Sequence, residues 1–289
     1  MEVLILTRSD KHKADDGGYC VAGINLQNNQ WIRLVGPHYH FKIADAEAIY
    51  EDGTLCEPFD VVEVDAEKID SQKRIECNAH GWGNGFTEQY PENLLSIQPE
   101  NYIVRDKFKL VRKASIDEVM HLGIVSDDEY IYKDDTTSLS IEDAIECNKS
   151  LVMVKVEDLE LYPKEKYDED GYQAHYRARF KYKGHQYDGL SVTDPDYDAA
   201  KTDFQGLKFG ETYLIMSVGE EYRERHYKII AKIFETVYTI ENNTYGFFHA
   251  FSDCKYLEKY KDSVIYALWD DMVADGMGQC KECEKNYLS

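Results

Sequence analysis

Short runs with a period of two dominate the hydrophobic pattern, and that period belongs to strands. Residues 3–7 predict a first strand. Residues 19–26 and 31–35 predict a hairpin across Gln27-Asn28-Asn29-Gln30, and residues 60–64 a further strand with partial alternation. Asp15-Asp16-Gly17-Gly18 reads as a turn, and residues 43–50 have helical content. Ser115 is placed as the N-cap of a short helix through Leu122. The polar, acidic stretch 126–150 reads as a linker with a helical turn or two. A second β-rich unit opens at residues 151–156. It continues with a hairpin of residues 172–182 and 186–193, then strands at 212–218 and 226–234. Short strands with glycine at the bends, and no parallel βαβ rhythm, predict small closed barrels rather than a flat sheet. The expected fold is mainly β with minor α: a barrel with helical insertions over 1–150, a second over 151–234, and a small ββα tail over 235–289.

The tail carries the sharpest chemistry. Val237-Tyr238-Thr239-Ile240 reads as a strand and Tyr245-Gly246-Phe247-Phe248-His249 as the strand that returns from it. Residues 263–274 read as a helix, and Gly276 and Gly278 bend the chain into Cys280-Lys281-Glu282-Cys283, expected as a tight turn. His249 and Cys254 form H-x4-C, a spacer of 25 residues follows, and Cys280 and Cys283 form C-x2-C. One imidazole and three thiolates suit Zn2+, and a full set of four leaves no open position, which makes such a site structural. The competing reading is three unrelated reduced cysteines and a core histidine. A unit of this size rarely stays folded without a metal or disulfides, which favours the metal.

Composition narrows the setting. The chain has 289 residues, 43% of them hydrophobic and 13% aromatic, as expected for a folded protein. No apolar run approaches the roughly 20 residues of a membrane span. The N-terminus enters a strand directly, without the layout of a signal peptide. Cys20, Cys56, Cys77 and Cys147 are scattered without ligand spacing, so a reducing cytoplasm is expected. The net charge of −22, concentrated in residues 1–150, repels polyanions at long range. Tight non-specific nucleic-acid binding is thereby disfavoured, while a local basic surface can still hold a short strand.

Two resemblances follow from quoted motifs. Gly18-Tyr19-Cys20-Val21-Ala22-Gly23-Ile24 and Trp31-Ile32-Arg33-Leu34-Val35, then residues 177–184, Leu190 to Pro195, Tyr213 to Glu220 and Tyr227 to Ala231, resemble the bacterial dual OB-fold domain family. This covers nearly all of residues 1–234 and implies two OB-like barrels. Such proteins are associated with bacterial defence and nucleic-acid conflict. The tail, through Phe248-His249, Cys254-Lys255-Tyr256-Leu257 and residues 276–283, is similar to a zinc module found behind bacterial nuclease domains. It is also similar to the metal-binding domain of the Ada DNA-repair protein. One extra residue between His249 and Cys254, and Gln279 where that pattern has proline, alter loops and not ligands.

The main binding candidate is Tyr176-Arg177-Ala178-Arg179-Phe180-Lys181-Tyr182-Lys183. On a strand, Arg177, Arg179, Lys181 and Lys183 share one face and the apolar residues the other. That is either a solvated face over a core or a basic stripe lining a groove for phosphates. Trp31 and Arg33, on one face of their strand, are the matching candidates in the first barrel. Asp194-Pro195-Asp196-Tyr197-Asp198 lacks the glycine and distal glutamate of a calcium loop, and His38 and His40 could pair as ligands or general bases. The expected function is non-enzymatic recognition of a short nucleic acid or nucleotide in a defence system, with no membrane partner. An acidic adaptor for a partner defence protein is the alternative, and a metal-dependent nucleotide hydrolase a third.

Overall fold

The computed structural model describes residues 1–11, 17–36, 41–80, 92–168, 171–197 and 211–287. The first unit contains β1 (Glu2–Arg8), β2 (Val21–Asn25), β3 (Gln30–Val35), α1 (Asp45–Ala48), β4 (Asp60–Glu63), β5 (Ala66–Lys68), α2 (Ser71–His80), α3 (Glu92–Ile97), β6 (Asn101–Val104), β7 (Lys109–Lys113) and α4 (Ile116–His121). Its sheet runs β5-β6-β3-β2-β1-β4-β7. The ring closes because β4 and β5 follow one another around a bend: β4 pairs with β1, and β5 pairs with β6. β3 and β6 are parallel, and the other pairs are antiparallel. Val3, Ile5, Val21, Ile32, Leu34 and Val62 fill the interior. As expected, Ser115 caps α4, its hydroxyl accepting from Glu118 N while the Glu118 side chain returns to the cap.

The second unit repeats this plan with β9 (Leu151–Asp168), β10 (Gly171–Tyr182), β11 (His185–Val192), β12 (Glu211–Tyr222) and β13 (Arg225–Ile240). β9 pairs with β10 and β12, β12 with β13, and β10 with β11. A parallel pairing of β11 with β13 closes the barrel. Val152, Val154, Ala178, Phe180, Tyr187, Leu214 and Ile230 lie inside, with the Phe180 and Tyr187 rings stacked at 5.3 Å.

The barrels pack outer face to outer face. Along β1 the run Val3-Leu4-Ile5-Leu6 is apolar without alternation because both faces are buried. Val3 and Ile5 point into the first barrel, whereas Leu4 and Leu6, with Ile24 and Val61, meet Met153, Tyr213, Ile215 and Phe234 of the second. Ile116 and Val119 of α4 join this seam. Polar bonds cross it as well: Thr7 Oγ1 donates to the Ala231 carbonyl at 3.0 Å, and Gln98 Nε2 to the Val218 carbonyl at 3.1 Å.

Residues 126–150 are not a linker, contrary to the reading of their composition. They hold β8 (Ser138–Leu139), which pairs with β13, and α5 (Ile141–Cys147). Ile131 is buried in the second barrel's core. The fully buried Lys228 amine donates to the Asp134 carbonyl at 2.6 Å and to its carboxylate at 2.8 Å. Tyr187 OH accepts from Ile131 N at 2.9 Å and donates to the Asp134 carbonyl at 3.1 Å. A polar sequence becomes a clasp here because its partners lie far along the chain.

The tail grows out of the second barrel. β13 runs without a break to Ile240, and β14 (Phe247–Phe248), β15 (Val264–Leu268), α6 (Trp269–Ala274), β16 (Gly278–Gln279) and α7 (Lys281–Tyr287) follow. The helix expected over 263–274 is strand in its first half. Val264, Ile265 and Tyr266 are β-branched or aromatic, and the distal half of β13 offers them a ladder, from Thr236↔Leu268 to Ile240↔Val264.

Candidate metal centre and the outer faces of the barrels

Two strand ends, a loop and the start of a helix bring the four tail ligands together. Tyr238 and His249 exchange backbone bonds of 2.7 and 2.8 Å, so His249 sits where the predicted hairpin places it. β14 and β16 run parallel, pairing Phe247 with Gly278 and Phe248 with Gln279. Both strands therefore end side by side, and the next residues, His249 and Cys280, emerge at the same end. Cys280 N donates to the Phe248 carbonyl at 2.9 Å, which fixes that placement. Cys283 follows in the first turn of α7, so the C-x2-C pair spans a helix start instead of the tight turn expected. Cys254 arrives from the loop between, where Leu257 N donates to its carbonyl at 2.7 Å.

One ligand atom from each of His249, Cys254, Cys280 and Cys283 lies within 4.8 Å of the others. His249 Nδ1 is 3.2 Å from Cys254 Sγ and 3.9 Å from Cys283 Sγ. The three cysteines are buried, together with Tyr238, Ala250 and Leu257. Burial pushes the Cys283 thiol up to about 12 and raises Cys254, while it lowers His249. Three sulfurs and an imidazole nitrogen converge, with no other donor in the group among the described residues, and form a candidate metal site whose donor set fits zinc and leaves no open position.

The sequence's other candidates are scattered over the barrels. Trp31 and Arg33 share a face of β3, and that face meets the second barrel. Trp31 packs on the seam cluster. Arg33 donates to Ser150 Oγ at 3.0 Å and Ser217 Oγ at 3.1 Å, while the Glu100 carboxylate accepts from Ser150 N and Oγ at 2.7 and 2.8 Å.

Arg177, Arg179, Lys181 and Lys183 lie along the outer face of β10 and its turn, opposite the buried Tyr176, Ala178, Phe180 and Tyr182. Each of the four meets an acceptor. Arg177 donates to the Gly189 carbonyl at 3.3 Å and to Ser191 Oγ. Arg179 lies 3.7 Å from Glu160 and 3.9 Å from Asp188, with its guanidinium 5.6 Å from the centre of the Tyr162 ring. Lys181 pairs with Asp158 at 2.7 Å and Lys183 with Asp127. These partners were missed in the sequence. The signal for two of them, Asp158 and Glu160, was the acidic run Glu157-Asp158-Leu159-Glu160 on the neighbouring strand β9, and Tyr162 OH donates to Asp188 at 2.8 Å on the same face.

Asp194 is buried; its carboxylate accepts from Ile233 N at 2.8 Å and from Asp196 N and Lys232 Nζ at 3.1 Å. Asp196 pairs with the same lysine. His38, His40, Asp198 and the loop Gly81–Phe86 lie outside the described residues.

Two five-strand rings, each with one parallel closure, are the plan of OB folds, and the family comparison agrees. The chain matches the dual OB-containing domain over residues 1–77 and 88–233, and it belongs to that family. OB folds commonly bind nucleic acids, typically on the face of their second and third strands. No curated protein matches the chain. Among the described residues no helix is long and apolar enough to cross a membrane.

Proposed function

We propose that the protein is a non-enzymatic recognition module in which a structural zinc ion closes the tail and the outer face of β9, β10 and β11 receives a short single strand or nucleotide. One observation carries the second part. Of the two faces formed by second and third barrel strands, that of the first barrel is turned into the seam. That of the second stays open and bears Arg177, Arg179 and Lys181, with Tyr162 beside them on β9. The four convergent ligands and the tail's similarity to nucleic-acid-associated zinc modules support the first part.

A phosphate entering this face must displace carboxylates from cations already paired. Binding is then weak and strongly salt-dependent, with Kd in the non-specific range of about 10⁻⁴–10⁻⁶ M. Fluorescence anisotropy with labelled oligo-dT and oligo-U at low and high salt tests this. Arg177→Ala with Arg179→Ala weakens binding roughly tenfold, and Tyr162→Ala removes a stacking contribution of about 1–3 kcal/mol. Flat titrations at low salt, or titrations unchanged by these substitutions, overturn the reading.

The pairwise neutralisation of the stripe favours a second reading, an adaptor whose acidic body docks a basic partner enzyme. Stoichiometric co-purification with one protein, unaffected by nuclease treatment, together with flat oligonucleotide titrations, supports that alternative.

A further inference from the structure

β7 is the terminal strand of the first sheet. It pairs with β4 on one side, and among the described residues no strand pairs with the other. All of its residues are exposed, Leu110 by 41% and Val111 by 51%. A strand edge with open N–H and C=O groups is a template for another strand, and proteins usually guard such edges with charge, bulges or cover. A register shift opposite Val61 and Val62 supplies a bulge here. It still leaves two adjacent apolar side chains in water.

Charge selects what can be added. In a chain of net charge −22, this edge reads Lys109-Leu110-Val111-Arg112-Lys113, with Lys107 just before it. Arg112 pairs with Glu118 and Lys113 with Asp60, both at 2.8 Å. Among the described residues no carboxylate is paired with Lys109. A second copy added antiparallel, edge to edge, would set these cations against their own equivalents, and like charges placed opposite are destabilising.

We infer that the β7 edge receives an extended acidic peptide segment of a partner protein, added as a further strand. Main-chain bonds supply the attachment. Carboxylates facing Lys109 and Arg112 select the sequence, and apolar side chains between them cover Leu110 and Val111. This surface is on the first barrel and does not depend on the nucleic-acid reading of the second.

The test uses the full chain and a fluorescein-labelled peptide of alternating glutamate and valine. Anisotropy rises saturably with Kd on the order of 10–100 µM, and the peptide slows amide hydrogen exchange of Lys109–Lys113. Lys109→Glu with Arg112→Glu, checked by thermal melting for an intact fold, weakens binding by roughly tenfold or more. A peptide N-methylated at alternate amides does not bind. No saturation, equal binding of the N-methylated peptide, or unchanged exchange at β7 overturns the inference. So does a concentration-dependent dimer abolished by Leu110→Lys, which assigns the edge to a second copy, or competition by oligo-dT for the peptide, which assigns it to nucleic acid.

Discussion

Where the barrels meet, Leu4, Leu6 and Ile24 press against Met153, Ile215 and Phe234, and this apolar contact is edged by a few polar bonds such as those of Thr7, Gln98 and Arg33. In the tail, the cluster around Tyr238 takes three of its six buried members from cysteine. The seam can rely on area because two large units share it. The tail is too small to enclose a comparable core, so donor atoms take the place of carbon surface. The difference teaches that one chain can rely on burial where size allows and gather metal-ligating side chains where it does not.

The largest effect should come from the metal. Structural zinc contributes about 10–16 kcal/mol in small fingers at neutral pH. Purified protein should hold one zinc per chain, and chelation or Cys283→Ser should melt the tail while the barrels keep their far-UV signature. Raised thiols in the metal-free state mean that zinc uptake must expel protons. Retention therefore weakens as pH falls, as zinc titrations at several pH values would show. Simultaneous loss of tail and barrels would erase the contrast drawn above.

Phe234→Ala probes the seam. Its ring lies 5.3 Å from that of Phe59, and truncating a buried phenylalanine costs about 3–5 kcal/mol. Urea melts should then show the barrels losing stability with zinc content unchanged. Lys232→Ala is comparable at about 3–5 kcal/mol, because Asp194 would be left buried without its cation. Ser115→Ala, which removes the α4 cap at the seam's rim, should cost about 1 kcal/mol.

The smallest effect tests the clasp of residues 126–150. The Lys149 amine first, then the Ser126 hydroxyl, hold the Asp128 carboxyl below its usual range. A depressed carboxylate contributes stability above its unfolded pKa and loses it as pH falls through the folded value. Asp128→Asn should therefore cost under about 1 kcal/mol at neutral pH, an exposed pair, and nothing at strongly acid pH. Melts at both extremes would check it.

Much of this was legible in advance. The alternation along β10, the Ser115 cap and the spacing of His249, Cys254, Cys280 and Cys283 are local patterns, and local patterns survive folding. What misled was decided by distant partners. Val264–Leu268 became strand because β13 offered an edge, and residues 126–150 became structural because Lys228 and Tyr187 reach them. Trp31 and Arg33 share a face as expected, but no local signal says that a second barrel covers it. The carboxylates beside the β10 cations were visible as an acidic run without being recognised as counterions.

β13 crosses from barrel to tail as a single strand, its near end hydrogen-bonded inside the OB ring and its far end bridged to the histidine of the cage. A beam fixed at both ends carries torque between its supports. Disrupting the four-ligand cluster at one end would change the restraint on the strand at the other, and cutting the gene just after residue 234 would sever the beam in mid-span instead of at a joint.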